Sequence, residues 1–255
     1  MYRLEEVRKH RAQGGSAFEL RIPSLEVHPG EMIALVGESG CGKSTLLDLL
    51  ALVLRPTACR VFRFTEPKSG EVVDAAKLWS AGDEETLARL RRTHMGYVLQ
   101  TGGLLPFLDV RRNIELSARV SGREPQAVGE LAAQLGIGNC LERMPTALSI
   151  GQRQRVAIAR AVAHGPALVL ADEPTAAVDK QRGALIMEQL AQLARQQGTA
   201  VVVVTHDRPL VEPWMDRGYG FSVSAVSDAL TVSVCQPLEV LERERQEREW
   251  RERTL

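Results

Sequence analysis

Met32-Ile33-Ala34-Leu35-Val36-Gly37-Glu38-Ser39-Gly40-Cys41-Gly42-Lys43-Ser44 is the stretch from which the rest of the chain can be read. Five apolar residues in an unbroken run, closed by a glycine-rich loop, predict a strand buried on both faces. Residues 44–53 then carry a helical pattern. Strand, glycine loop and helix in that order begin a parallel α/β sheet. The loop from Gly37 to Ser44 fits GxxxxGK[ST]. Its glycines let successive N–H groups turn toward one anion, and the following helix adds its positive end. Lys43 is expected at the β- and γ-phosphates of a nucleoside triphosphate and the Ser44 hydroxyl on Mg²⁺. Gly37, Glu38, Ser39, Gly40, Cys41, Gly42 and Thr45 complete the expected phosphate site. Cys41 has two readings: a thiolate stabilised by amides and Lys43, or a small residue that simply fits.

Outward from this loop, residues 2–7 and 18–27 read as strands, with a turn at Pro29-Gly30. Short strands are expected at 59–64 and 71–73, and Asp83 is placed to cap a helix running to Arg92. From about 107 to 164 the pattern is mostly helical, interrupted at Gly122, Gly136-Ile137-Gly138 and Pro145. Two more buried strands are expected, Ala167 to Ala171 and Thr199 to Thr205, joined by a helix over 180–197. In Leu168-Val169-Leu170-Ala171-Asp172-Glu173, Asp172 ends a buried parallel strand beside the phosphate loop. There it can hold the Mg²⁺ hydration shell, while Glu173 orients or polarises an attacking water.

Leu148-Ser149-Ile150-Gly151-Gln152, followed by Arg153-Gln154-Arg155-Val156-Ala157-Ile158-Ala159-Arg160-Ala161, resembles the signature motif of the ATP-binding cassette (ABC) transporter ATPases. The resemblance runs from about residue 4 to 220, and its motifs fall in the family's order. It implies that Gln100, in Tyr97-Val98-Leu99-Gln100, touches Mg²⁺ and the attacking water. It implies that His206, after Val203-Val204-Thr205, contacts the γ-phosphate. Asp179, in Ala176-Ala177-Val178-Asp179, resembles the aspartate that links two sites across a dimer. Ser149, Gly151 and Gln152 open a helix and so form an anion site. In the family that site covers the γ-phosphate held by a second subunit, so ATP becomes part of a homodimer interface.

Two departures from the family pattern stand out. The adenine-stacking aromatic, about two dozen residues before the phosphate loop, falls in register on His10, which either stacks on the base or is an exposed strand-end histidine. Phe18 reads as a core strand residue. Ile150 replaces the first glycine of the signature, and a β-branched residue resists positive φ and adds bulk. If Ile150 lies at the phosphate, hydrolysis is slowed; if it points away, it packs elsewhere. The resemblance implies a RecA-like P-loop α/β core with an N-terminal antiparallel β region and an inserted helical subdomain near 101–165. The nucleotide-binding domain is expected over 1–236. A charged C-terminal helix is expected over 237–255, where eleven of the fifteen residues from Glu239 to Arg253 are charged.

Leu104-Leu105-Pro106-Phe107-Leu108 and Ala171-Asp172-Glu173-Pro174-Thr175 look most like the lipoprotein-releasing and macrolide-efflux branch, although Thr101-Gly102-Gly103 departs from the bulkier residues usual there. The resemblance therefore implies an ATPase that drives an integral membrane partner from the cytoplasmic face. The other reading is a regulatory nucleotide-binding scaffold with little turnover. Thirty-two basic residues offset thirty-two acidic ones, so no overall field favours nucleic acid. Cys41, Cys59, Cys140 and Cys235 form no CxxC pair, which argues against a zinc site or disulfide framework. No apolar run approaches the ~20 residues of a membrane helix. The N-terminal residues lack the apolar core of a signal peptide.

Overall fold

A computed structural model describes residues 1–124, 128–176, 178–227, 229–244 and 246. The chain opens with a hairpin, β1 (Tyr2–Gln13) and β2 (Ser16–Val27). The apolar run forms β3 (Met32–Val36) and the loop after it leads into α1 (Lys43–Leu50). Next come β4 (Val61–Thr65), β5 (Val72–Asp74), α2 (Ala75–Ala81), α3 (Glu84–His94) and β6 (Met95–Val98). Asp74 and Asp83 cap α2 and α3 by accepting the N–H of Lys77 and Thr86. The helical block holds α4 (Val110–Ser121), α5 (Val128–Gln134) and α6 (Ile150–Val162). It is followed by β7 (Leu168–Asp172), α7 (Lys180–Gln197), β8 (Ala200–Thr205) and the short α8 (Arg208–Val211). Two strands not expected from the sequence close the fold, β9 (Arg217–Ser227) and β10 (Leu230–Pro237).

All ten strands join one sheet in the order β5-β4-β1-β2-β10-β9-β3-β8-β7-β6. β3, β8, β7 and β6 are mutually parallel, and β9 runs parallel to β3 on its other side. β10 pairs antiparallel with β9 and parallel with β2, so it joins the N-terminal hairpin to the core. The expected antiparallel region is thus continuous with the parallel one. One face of the sheet packs on α1, α2 and α3, and the other on the helical block and α7. Because four parallel strands end on one edge, the loops after β3, β6, β7 and β8 converge there.

Two polar side chains, one buried and one half-buried, shape the loop after β6. Asn113, fully buried in α4, donates to the carbonyls of Leu105, Leu108 and Asp109 and accepts the N–H of Leu105. Arg160 of α6 donates to the carbonyls of Gly102 and Gly103, which both hold positive φ. The Thr101-Gly102-Gly103 departure is therefore conformational: a left-handed pair is wanted where the guanidinium grips two successive carbonyls. Residues 238–244 are helical. Of the i,i+4 pairs the charged tail suggests, Glu239–Arg243 lies within this segment, whereas Arg248 and the pair Glu247–Arg251 lie outside the described residues.

Candidate functional site

Gly40 and Gly42 hold φ of 81° and 107°, and this left-handed geometry curls the loop around its own amides. A Cβ on Gly42 would stand 3.2 Å from both Phe18 and Leu20, so β2 roofs the loop closely there. Lys43 is nearly buried, and its ammonium donates to the carbonyls of Gly37 (2.6 Å) and Glu38 (2.7 Å). Cys41 is buried, and burial pushes its thiol up against the opposing pull of Lys43. The structure therefore favours the small-residue reading over the reactive thiolate. From below, the buried Ser233 hydroxyl of β10 donates to the Cys41 carbonyl at 2.7 Å.

A cavity of about 720 Å³ opens above this loop. Ser39, Gly40, Gly42, Lys43, Ser44 and Thr45 line one wall, and Gln100, Asp172 and Glu173 line the other. The Ser44 hydroxyl donates to Asp172 at 3.3 Å. Asp172 sits at the end of β7, and its carboxyl is pushed up first by burial and further by the nearby Glu173. Hydroxyl, carboxylate and side-chain amide oxygens are hard donors, a set suited to Mg²⁺ shared with phosphate oxygens. Glu173 adopts φ of 46°, and its N–H donates to Val204 of β8. That left-handed turn is unusual for glutamate and swings the side chain out of the strand line. His206, just past β8, meets it with Nδ1 2.9 Å from Glu173 Oε2.

Asp179 caps α7 by accepting the Arg182 N–H, and those hydrogen bonds hold its carboxyl below the usual range. It shares a cleft of about 160 Å³ with His206. Ala177 in the same loop lies outside the described residues. Ser149, Gly151 and Gln152 do not line the nucleotide-sized cavity. They form the first turn of α6, where Ser149 and Gln152 make a reciprocal capping box. Ile150 has ordinary helical φ and its side chain is 51% exposed. Positive φ is not required at that position, so the steric objection to a β-branched residue does not apply within one chain.

The strand register places His10 away from the cavity. Alternation in β1 and β2 inverts at Glu6, which has φ of 49° and stands opposite Pro23. Before this point Tyr2 and Leu4 face the core; beyond it Val7 does. Arg11, cross-strand from Phe18, consequently faces the cavity, whereas His10 pairs with Glu19 on the opposite face. Phe18, read from sequence as core, also lines the cavity, and Thr231 of β10 was missed altogether. Thr231 could have been found only by recognising β10, a short strand that follows the serine-interrupted and largely exposed β9.

The family described as ABC transporter matches residues 20–176. The macrolide export ATP-binding/permease protein MacB of Salmonella choleraesuis is 40% identical over 202 residues, 78% of this chain and 29% of the relative. The MacB protein of Wolinella succinogenes is 40% identical over 200 residues, 76% of this chain and 29% of that protein. The chain thus spans under a third of the length of these curated relatives. Among solved structures, the dimeric MJ0796, a bacterial ABC transporter cassette, superposes with a TM-score of 0.75 at 31% identity. The alignment covers 86% of this chain and 94% of that one. A second dimeric structure of that cassette, in a post-hydrolysis state bound to ADP and Pi, gives a TM-score of 0.73 over the same shares at 31% identity.

Proposed function

The chain belongs to the ABC transporter family of ATPases, and from that premise we propose that it is the motor of a MacB-like membrane complex, closing as an ATP-bound homodimer. The observation that carries the reading is the cavity into which Lys43, Ser44, Gln100, Asp172 and Glu173 all project. In this reading Lys43 exchanges its two loop carbonyls for the β- and γ-phosphates, and the loop amides hold the same oxygens. Bound Mg²⁺, held through Ser44, Asp172 and Gln100, would neutralise charge on the phosphates. Glu173 orients the attacking water, and His206 holds the Glu173 carboxylate by the 2.9 Å contact. Ser149 and the free amides opening α6 lie outside the cavity, which suits a contribution to a second subunit's γ-phosphate.

The partner reading rests on a surface beside the loop that follows β6. A groove of about 450 Å³ runs between α3, α4 and α6, lined by Met95, Leu105, Leu116 and Ala161 with Arg91 and Arg92. Phe107 (71% exposed) and Val120 (59%) add apolar surface near it. In this reading the groove is where a membrane-embedded partner docks; no helix among the described residues is long and apolar enough to cross a membrane.

Glu173→Gln tests the core of the proposal. Steady-state ATP hydrolysis should fall at least about a hundredfold, the scale of lost general-base assistance, while nucleotide affinity is kept. Light scattering should show the mass doubling with ATP. Near-normal turnover, or a mass unaffected by ATP, would refute it.

A further inference from the structure

The helical segment 238–244 packs on β9 and is joined by an ion pair to Arg208, the residue that opens α8 just after His206. Leu238 and Leu241 lie on β9 so closely that a Cβ on Gly218 would be 2.3 Å from Leu238 Cδ1, and one on Gly220 2.4 Å from Leu241 Cδ1. Gly220 is in register with Val36, the last residue before the phosphate loop. The segment therefore sits one strand away from the nucleotide site, on a strip of backbone from which side chains are excluded. On its other side, Glu242 pairs with Arg208 Nη1 at 2.7 Å. Arg208 opens α8 two residues after His206 and also holds Glu212 at the far end of α8, at 2.8 Å. Both carboxylates push the guanidinium further up, hydrogen bonding to Glu212 first and to Glu242 next.

Between Arg208 and His206 there is little slack. Asp207 donates its N–H to Thr205 Oγ1, the last residue of β8, and its side chain accepts the Leu210 N–H. His206 is thus fixed between the end of a buried strand and a capped turn, and that turn is tethered by Arg208 to the C-terminal segment. Among the described residues, the hydrogen-bond and ion-pair partner of the His206 ring is Glu173.

We propose that the 238–244 segment clamps the loop bearing His206, with Glu242 and Arg208 acting as positioning residues for hydrolysis. The inference rests on the reading that His206 serves hydrolysis. The pair is partly solvated, so its coupling is modest and predicts a severalfold effect and not an abolition. Any signal reaching the end of the chain would then be felt at the hydrolytic carboxylate without touching the nucleotide.

The test uses the full chain and compares Glu242→Ala, Arg208→Ala, the double variant and His206→Ala. Glu242→Ala should lower kcat about threefold with KM for ATP unchanged, a loss of roughly the size a surface ion pair allows. The double variant should be no slower than Arg208→Ala alone, because both act through one contact. Glu242→Asp should recover part of the loss. A wild-type kcat in Glu242→Ala beside an inactive His206→Ala would overturn the clamp alone. Additive losses, or a KM change with kcat intact, would also overturn it. Full turnover in His206→Ala would instead remove the underlying reading of the histidine, and the clamp with it.

Discussion

Asp172 combines its proposed metal-binding task with a burial cost. Its carboxyl titrates above the ordinary aspartate range because it is partly desolvated and lies near Glu173. A carboxylate with a raised folded pKa disfavours the fold at every pH above that value, since the unfolded chain ionises it more easily. Asp172→Asn keeps the shape and an acceptor for Ser44 while removing the charge. It should therefore raise the melting temperature at pH 7 by about 1–4 °C, on the scale of a fraction of a kcal/mol in a chain of this size, and abolish hydrolysis. Differential scanning calorimetry beside an ATPase assay checks both, and a lower melting point would contradict the burial argument. Arg11 invites a second comparison. As a cavity-facing guanidinium opposite Phe18, it can lie flat against a base through cation–π contact, worth about 0.5–2 kcal/mol. Arg11→Ala should then weaken ATP binding about threefold to thirtyfold, and His10→Ala should leave it unchanged. Nucleotide titration that finds the reverse order would return the stacking role to His10.

At the scale of elements, the sequence is most informative where one physical rule governs alone. The unbroken apolar runs of β3, β7 and β8 are buried on both faces, and nothing competes with that signal. The helix over 180–197 is equally legible, opened by Asp179 and closed by a left-handed Gly198. β9 and β10 are harder to see because Gly218, Gly220 and several serines dilute the alternation, and much of β9 is exposed. The face inversion at Glu6 and Pro23 is invisible to a residue count, and it turns Arg11 rather than His10 toward the cavity. The Ile150 question was also one of element geometry. At the first position of α6 it is half exposed and adopts helical φ, so its replacement removes little packing. Ile150→Gly should cost at most about 1 kcal/mol, the helix-propensity difference, seen as a small drop in melting temperature. Ser149→Ala should cost about 1 kcal/mol through the lost cap and also weaken ATP-driven dimerisation. An unchanged dimer constant in Ser149→Ala, measured by sedimentation, would confine that serine to capping.

For the molecule as a whole, acid sensitivity has an identifiable source. His164 is buried beside the α3–α4–α6 groove, neither ring nitrogen has a well-formed hydrogen bond, and burial lowers its pKa to about 4. An unfolded histidine binds its proton near pH 6.5, so the unfolded state gains protons first as pH falls. Stability should decline between about pH 6.5 and pH 4, by as much as about 3 kcal/mol from this residue, and His164→Leu should flatten that decline in urea titrations. An unaltered pH slope in the variant would exclude His164 as the source. The seam between β2, β10 and β9 has a different kind of consequence. Every recognisable motif of this chain lies before residue 207, yet the floor of the phosphate loop is a hydroxyl on residue 233. Arg217, which ties Glu31 and the Glu26 carbonyl together, belongs to the same closing stretch. A chain shortened after the last motif would keep its full vocabulary and lose part of its grammar: sequence comparison would still recognise it, while the loop meant to grip phosphate would lack the hydroxyl that braces it from below. During synthesis the phosphate loop emerges nearly two hundred residues before the hydroxyl that braces it, so the motif exists well ahead of that part of its floor.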